Sequence, residues 1–439
     1  MTDQQFPIEQ VEDSNTSNNP HFNELLNSQI NRRSVLRGGV GMTAALMFGG
    51  MGLVGCGSDD EAVAATPTPS TPAPRVVGPA DLPKTLNFKP VAHSKADRVV
   101  VPEEYNVQVI LPTGTPLFSG IEDWNDNGLQ SGASFEKRVG DNHDGMWFFG
   151  IGADGKFDAS VSDRGLLAIN HEYVEGWMLN PLGYYTIKNS EESAEGTIFA
   201  TTRLMNDIRR EVNAHGVTVA EIKRNSKGEF ELVKDSKFNR RVTSMTLSDL
   251  AGPAAGSPLM VTKFDSKGLT TRGINNQCGS GDSPWGTYIT VEENFLGVFA
   301  RGRDAAQLSA AEHTARNRYG AVEGFPTWGY LWHAPSQAAE RAMDEFARWD
   351  ITVKGENATQ DYRNAFNTFG YIVEIDPFSP DSRPIKRTAL GRFAHENCSY
   401  APVKAGEPVV MYMGDDARGE YVYKFVSKAV WDPKDAKGG

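Results

Sequence analysis

A single cysteine stands fourteen residues ahead of a glutamate pair in the stretch NNQCGSGDSPWGTYITVEENF, residues 275–295. Cys278 offers a thiolate, and Glu292 and Glu293 offer hard carboxylate oxygens. Glycines and a Pro284-Trp285-Gly286 turn lie between them. Such a turn-strand unit could hold a metal ion at its two ends. It could equally be a buried cysteine beside a solvated strand end. Further acids follow apolar runs: Glu172 in LLAINHEY, Glu374 in YIVEIDP, Glu396 in FAHENC, and Asp415 and Asp416 in YMGDDARGEY. Asp144, with Asn142, closes GDNHDG at 140–145. One acid at a strand end is readily solvated, whereas several brought together are costly unless a cation neutralises them. DWNDNG places Asp123, Asn125, Asn127 and Gly128 at calcium-loop spacing, but Ser134 stands where the bidentate glutamate belongs. An Asx-rich surface turn is therefore expected there.

Composition narrows the chemistry. The chain has 439 residues, 39% hydrophobic and 23% charged, so it can bury a substantial core. Its formal net charge of −12 argues against a nucleic-acid-binding surface, which needs a basic face. Cysteine occurs only at 56, 278 and 398, which makes no disulfide framework. Histidine is scarce, at eight, and neither H-E-x-x-H nor C-x-x-C occurs, so an ordinary zinc enzyme is disfavoured. No G-x-S-x-G elbow occurs either. With 56 acidic residues, any metal chemistry should involve mostly hard cations.

The elements that must position these acids are mostly short strands. Residues 107–112, 165–173, 286–293, 370–377, 408–416 and 420–427 are β-rich and bounded by Gly, Pro, Asn and Asp. Alternation places Ile289 and Val291 on one face of their strand and Tyr288, Thr290 and Glu292 on the other. It likewise separates Val373 and Ile375 from Ile372 and Glu374. Residues 303–317 and 336–349 carry alanine and charge at helical spacing and read as insertions. No fixed-period repeat is visible. Many short strands point to an all-β fold, closed, radial or sandwiched.

The N-terminus reads as an address. Arg32-Arg33 precedes a Gly-rich, mildly apolar run ending in Leu53-Val54-Gly55-Cys56, the layout of a twin-arginine export signal with a lipobox-like end over residues 1–56. Cys56 is then a lipid anchor. The Pro/Thr/Ala-rich part of 57–97 reads as a spacer, leaving 98–439 as the folded domain. The expected location is outside the cytoplasm, periplasmic or on the cell surface.

Several segments together resemble the PhoX-type alkaline phosphatases of the DUF839 domain. They are VGDNHDGMWFF, LLAINHEYV, NRRVTSMT, CGSGDSPWGTYITVEENF, GYIVEIDPFSPDSRPIKRTALGRFAHENCSYAPV and VVMYMGDDARGEYVYKFVS, running in order from about 139 to 427. The resemblance implies a six-bladed β-propeller with helical insertions, hydrolysing small phosphomonoesters with Fe3+ and Ca2+ at its centre. It implies that Cys278 ligates iron, and that Glu172, Glu292 or Glu293, Glu374, Glu396, Asp415 or Asp416, together with Asp144, supply carboxylate ligands. Arg240, Arg241 and Arg418 lie in matched segments and are expected to steady phosphoryl oxygens. Expected partners are the substrate, the Tat translocon and a membrane reached through Cys56; a monomer is expected. The chain stops at WDPKDAKGG, short of the family's extent, so an incomplete propeller is also expected. A calcium-dependent propeller esterase or lactonase, and a non-catalytic surface lipoprotein, are the competing readings.

Overall fold

The computed structural model describes residues 88–125, 127–180, 190–192, 198–200, 203–324 and 330–434. The export signal, Cys56 and the spacer to residue 80 lie outside the described residues. Among the described residues, no helix is long and apolar enough to cross a membrane. The chain divides into two compact units, 1–107 and 108–439. In the first, the ring of Phe88 meets Tyr105 edge-on at 5.9 Å.

The second unit is mostly β-sheet. One sheet holds β1 (His143–Gly150), β2 (Arg164–His171), β5 (Gly216–Arg224), β6 (Phe230–Leu232) and β7 (Arg240–Val242). Between β2 and β5 in sequence, β3 (Ser190–Glu192) pairs with β4 (Ile198–Ala200). A second sheet runs in the order β10 (Gln277–Asp282), β11 (Tyr288–Glu292), β12 (Ile372–Ile375), β13 (Ile385–Arg387), β8 (Leu247–Ala251) and β9 (Thr270–Arg272). A third joins β14 (His395–Tyr400), β15 (Pro408–Asp415) and β16 (Val422–Val430). All pairings are antiparallel except β13 with β8.

The three larger sheets pack in succession. Tyr288, Val373 and Ile375 from the middle sheet share a core with Phe149, Leu166, Ala168, Val217 and Val219 of the first. The opposite face, Ile289, Val291 and Ile372, meets Cys398, Met411 and Met413 of the third. β11 and β12 are therefore buried on both faces, as the alternation of apolar residues on each face requires. β16, by contrast, alternates half-buried and exposed residues along most of its length.

Two expectations change. Residues 107–112, read as a strand, have no ladder pairing, and Val109 is exposed. The Gln108 side-chain amide takes the place of the ladder, donating to Phe230 O at 2.7 Å and accepting from Phe230 N at 2.9 Å. The helix expected over 336–349 is two short turns, Ala338–Arg341 and Asp344–Ala347, separated by extended Met343. Tertiary ties hold the break: Arg341 donates back to Pro335 O, and Asp344 accepts from Arg272 and the Tyr362 hydroxyl. The insertion over 303–317 does contain a helix, at Ala310–Arg318. A further helix, α1 (Met205–Ala214), was not expected. It is buried along most of its length, with Ile208 and Val212 joining an aromatic core of Phe299, Trp332, Trp349 and Phe369.

Glu292 ends β11 fully buried, in an ion pair with equally buried Lys386 on β13 at 2.8 Å. It also accepts backbone N–H bonds from Asn275, Gly370 and Tyr371. Burial pushes the Glu292 carboxyl up and the Lys386 ammonium down to about 8, while each partner's charge opposes the other's shift. Removing one member of such a pair strands a buried charge. Lys386→Met is expected to lose about 3–5 kcal/mol in urea unfolding, and adding Glu292→Gln should recover much of it; equal stability of the single and double variants would refute this coupling.

Candidate metal centre

Three hairpins deliver the acids in the same way. β1 pairs with β2 with His143 opposite His171, β10 with β11 with Gln277 opposite Glu292, and β14 with β15 with His395 opposite Asp415. In each entry strand the register breaks immediately after that first pair. The residues next along are Asp144, Cys278 and Glu396, all in bulges. The residues just past the return strands are Glu172, Glu293 and Asp416. One backbone bond recurs in each hairpin: Glu172 N to Asn142 O at 3.1 Å, Glu293 N to Asn276 O at 3.1 Å, and Asp416 N to Ala394 O at 3.0 Å. Asn142 and Asn276 both hold positive φ, 40° and 51°, a conformation asparagine tolerates better than most residues. A bulge re-aims a side chain, which is why these features gather at functional sites.

Two glycines allow the hairpins to close on one another. A β-carbon on Gly145 would come within 2.7 Å of Cys278 O, and one on Gly279 within 2.5 Å of Glu396 O. The thiol-bearing bulge is thus gripped between β1 and β14 at positions where no larger residue fits. Asn170 on β2, fully buried, fixes it further. Its amide donates to Cys278 O and to Gly279 O (3.0 Å), while its oxygen accepts from the Tyr288 and Thr290 hydroxyls at 2.7 and 2.8 Å. All four hydrogen-bonding positions of the amide are filled.

The result is two overlapping triads. Donor atoms of Glu172, Cys278 and Glu293 lie within 4.8 Å of one another, as do those of Glu293, Glu396 and Asp416. Glu293 belongs to both. Cys278 and Glu293 are buried at 8% and 6% exposure, Glu172 is half-buried, and Glu396 and Asp416 are exposed, so the site has a dry floor and an open rim. Burial, then hydrogen bonding to Asp416 and the charges of Glu172 and Glu396, pushes the Glu293 carboxyl up to about 8. Burial followed by the Asp144 carboxylate drives the Cys278 thiol far above its ordinary value. Glu172 is raised by burial and then by Asp144 and Glu396; Glu396 is raised first by its hydrogen bond to Asp416.

The structure therefore gathers Asp144, Glu172, Cys278, Glu293, Glu396 and Asp416, and leaves other candidates elsewhere. Glu292 points to the opposite face from Glu293 and is taken by Lys386. Glu374 pairs opposite Ile289, four residues back along the chain from Glu293, or about 13 Å. It is saturated by Arg387, Trp285 Nε1 and Thr287 Oγ1. Asp415 lines a neighbouring cavity. Two of the arginine expectations need correction too. Arg240 spends its fork on the carbonyls of Pro380, Ser382 and Asp376, and buried Arg241 spends its fork on Asn213 O, His215 O and Thr218 Oγ1. Arg418 is exposed in the turn after β15. Asn125 and Asn127 use their side-chain oxygens on backbone N–H groups of their own turn. Cys398 is buried in the core between the second and third sheets, its thiol raised to about 12 by burial.

A model of the alkaline phosphatase PhoX family matches residues 86–438. No curated protein matches the chain. The structure of Pseudomonas fluorescens PhoX in complex with vanadate, a transition state analogue, is similar at 32% identity and a TM-score of 0.62. The match covers 80% of this chain and 52% of that one, so the chain spans about half the length of this solved relative.

The raised Glu293 carboxyl sets a pH dependence. Its folded-state proton affinity exceeds that of an unfolded glutamate, so its contribution to stability is full below about pH 4.5 and lost as pH rises through about 8. The melting temperature of the metal-free wild type should therefore fall relative to that of Glu293→Gln as pH rises across that window, whatever the buried histidines add to both. A difference between the two proteins that stays constant over those values would contradict the assignment.

Proposed function

The chain belongs to the alkaline phosphatase PhoX family, and on that premise we propose that it hydrolyses phosphate monoesters with metal ions held at the acid–thiol cluster. The observation that carries this reading is the convergence of six ligand-type side chains from three equivalent hairpins. Their donor chemistry fits cations. Acids whose mutual charges raise their proton affinities bind positive charge in exchange for those protons. The triad of Glu172, Cys278 and Glu293 combines a soft sulfur with hard oxygens, which suits a ferric ion. The all-oxygen triad of Glu293, Glu396 and Asp416 suits calcium. Asp144, raising the Cys278 thiol as it stands, would accompany the first triad. When bound, such ions would supply charge withdrawal from the phosphoryl oxygens.

The residues around the ions have definable tasks. Asn170 and Gly145 set the bulge that aims the sulfur. Glu293 joins the two triads, so a change there disturbs both. The exposed rim leaves an approach for an ester, while the buried floor keeps the ligands dry. Binding must release the protons now on Glu293 and Cys278, so metal affinity should rise with pH, in keeping with alkaline operation.

The wider reading is a β-propeller architecture, to which three sheets stacked face to face with their ligand-bearing ends together lend support. Export by the twin-arginine route and lipid anchoring at Cys56 rest on the sequence motifs at 32–33 and 53–56.

Metal analysis beside p-nitrophenyl phosphate hydrolysis tests the proposal. Wild-type protein should contain iron and calcium and lose activity on chelation. Cys278→Ala should lose iron and about 100-fold or more in kcat/KM, at or beyond the upper end of losses seen when a metal site's outer support is removed. Full iron content in the cysteine variant would remove Cys278 from the centre. Absence of hydrolysis by metal-loaded wild type would remove the phosphatase reading.

A further inference from the structure

A cavity of about 200 Å³ adjoins the cluster, with Glu293 and Asp415 in its lining. Its other side comes from the helical insertion. Helix α2 (Ala310–Arg318) begins at a complete capping box, in which Ser309 and Glu312 satisfy one another's backbone N–H groups. The helix ends on Arg318, and the next residue, Tyr319, is pinned by its hydroxyl, which donates to Arg392 O at 2.7 Å. The half-buried Arg392 guanidinium lies over the Tyr319 ring at 4.1 Å. The helix end is therefore anchored, and Arg318 is delivered to the cavity beside the apolar surfaces of Leu296 and Tyr319. Arg318 is half exposed and paired with Glu420 at 2.7 Å.

This placement answers a problem the cluster creates. A site rich in carboxylates repels a phosphate dianion, so a cation must meet the substrate on its way in. Among the described residues lining the cavity, Arg318 is the one cation. Arg240 and Arg241 are committed to backbone carbonyls. Resting the inference on the phosphatase reading above, we propose that Arg318 leaves Glu420 to bind the phosphoryl oxygens of the ester, while Leu296 and Tyr319 carry its carbon skeleton. The exchange is balanced in kind. A guanidinium fork gives up one carboxylate and takes two oxygens of a dianion, and the arginine side of the pair is half exposed while Glu420 is mostly covered.

The test uses the full, metal-loaded chain, with p-nitrophenyl phosphate as substrate and inorganic phosphate as competitive inhibitor. Arg318→Gln should raise both KM and the phosphate inhibition constant by about 10- to 100-fold, the loss expected for charge-assisted hydrogen bonds, with a smaller change in kcat and an unaltered melting temperature. Arg318→Lys should recover part of the loss. Glu420→Gln, which frees the guanidinium, should lower KM. Unchanged KM and phosphate inhibition in Arg318→Gln beside an active wild type would overturn the assignment while leaving the phosphatase reading intact. The same losses in Arg418→Gln but not in Arg318→Gln would transfer the role to Arg418. Metal-loaded wild type that neither hydrolyses the ester nor binds phosphate would overturn both readings.

Discussion

Five carboxyl groups and a thiol pressed into one site cannot all be anions in a half-dry environment unless positive charge joins them. The strands around the cluster are arranged to enforce this crowding. Fully buried Asn170, the glycines at 145 and 279 and the repeated backbone bond behind Glu172, Glu293 and Asp416 leave the side chains little room to separate. Burial is the first cause of the raised proton affinities of Glu172, Glu293 and Cys278, and the hydrogen bond to Asp416 that of Glu396; the charged neighbours that add to these shifts are themselves acidic. A protein that placed these acids for solubility would let them diverge into water.

The same hairpin device appears three times with different residues. Asp144 with Glu172, Cys278 with Glu293, and Glu396 with Asp416 occupy equivalent places about a bulge and a strand end. Only the second pair carries sulfur. It sits in the middle sheet, flanked by the other two, where the site is most buried. A soft ligand at the protected position and hard ligands toward the rim divide the site chemically. Glu293 is common to both triads.

Around this centre the fold separates structural charges from chemical ones. The Glu292–Lys386 pair, Glu374 with Arg387, and the carbonyl-bound forks of Arg240 and Arg241 all stabilise strand ends and loops. The neighbouring Glu293 and Asp416 do not serve that purpose. In both cases the two acids of a doublet diverge because adjacent residues in extended chain face opposite ways: at 292–293 one partner is inside an ion pair and the other in the cluster, and at 415–416 one faces the Arg318 cavity and the other the cluster.

Much of this was legible in the chain itself. Residue type identified the cysteine and the acids, and alternation correctly divided the faces of β11 and β12. The sequence could not choose within the Glu292-Glu293 and Asp415-Asp416 doublets, since that choice depends on where the last ladder pair falls. It also hid the threefold hairpin, because the paired ligands are separated by 28, 15 and 20 residues and no fixed period connects them. Arg240 and Arg241 read as phosphate binders because they lie in a segment that resembles the family, whereas packing turned their donors mostly toward carbonyls. Arg318 stood one residue past the segment 303–317 that reads as a helical insertion, with no motif to mark it. Composition and local pattern thus determined which chemistry the protein could carry and on which strands. Bulges, close glycine contacts and the docking of the helical insertion decided which side chains meet, because those are contacts between segments far apart in the chain and no local preference encodes them.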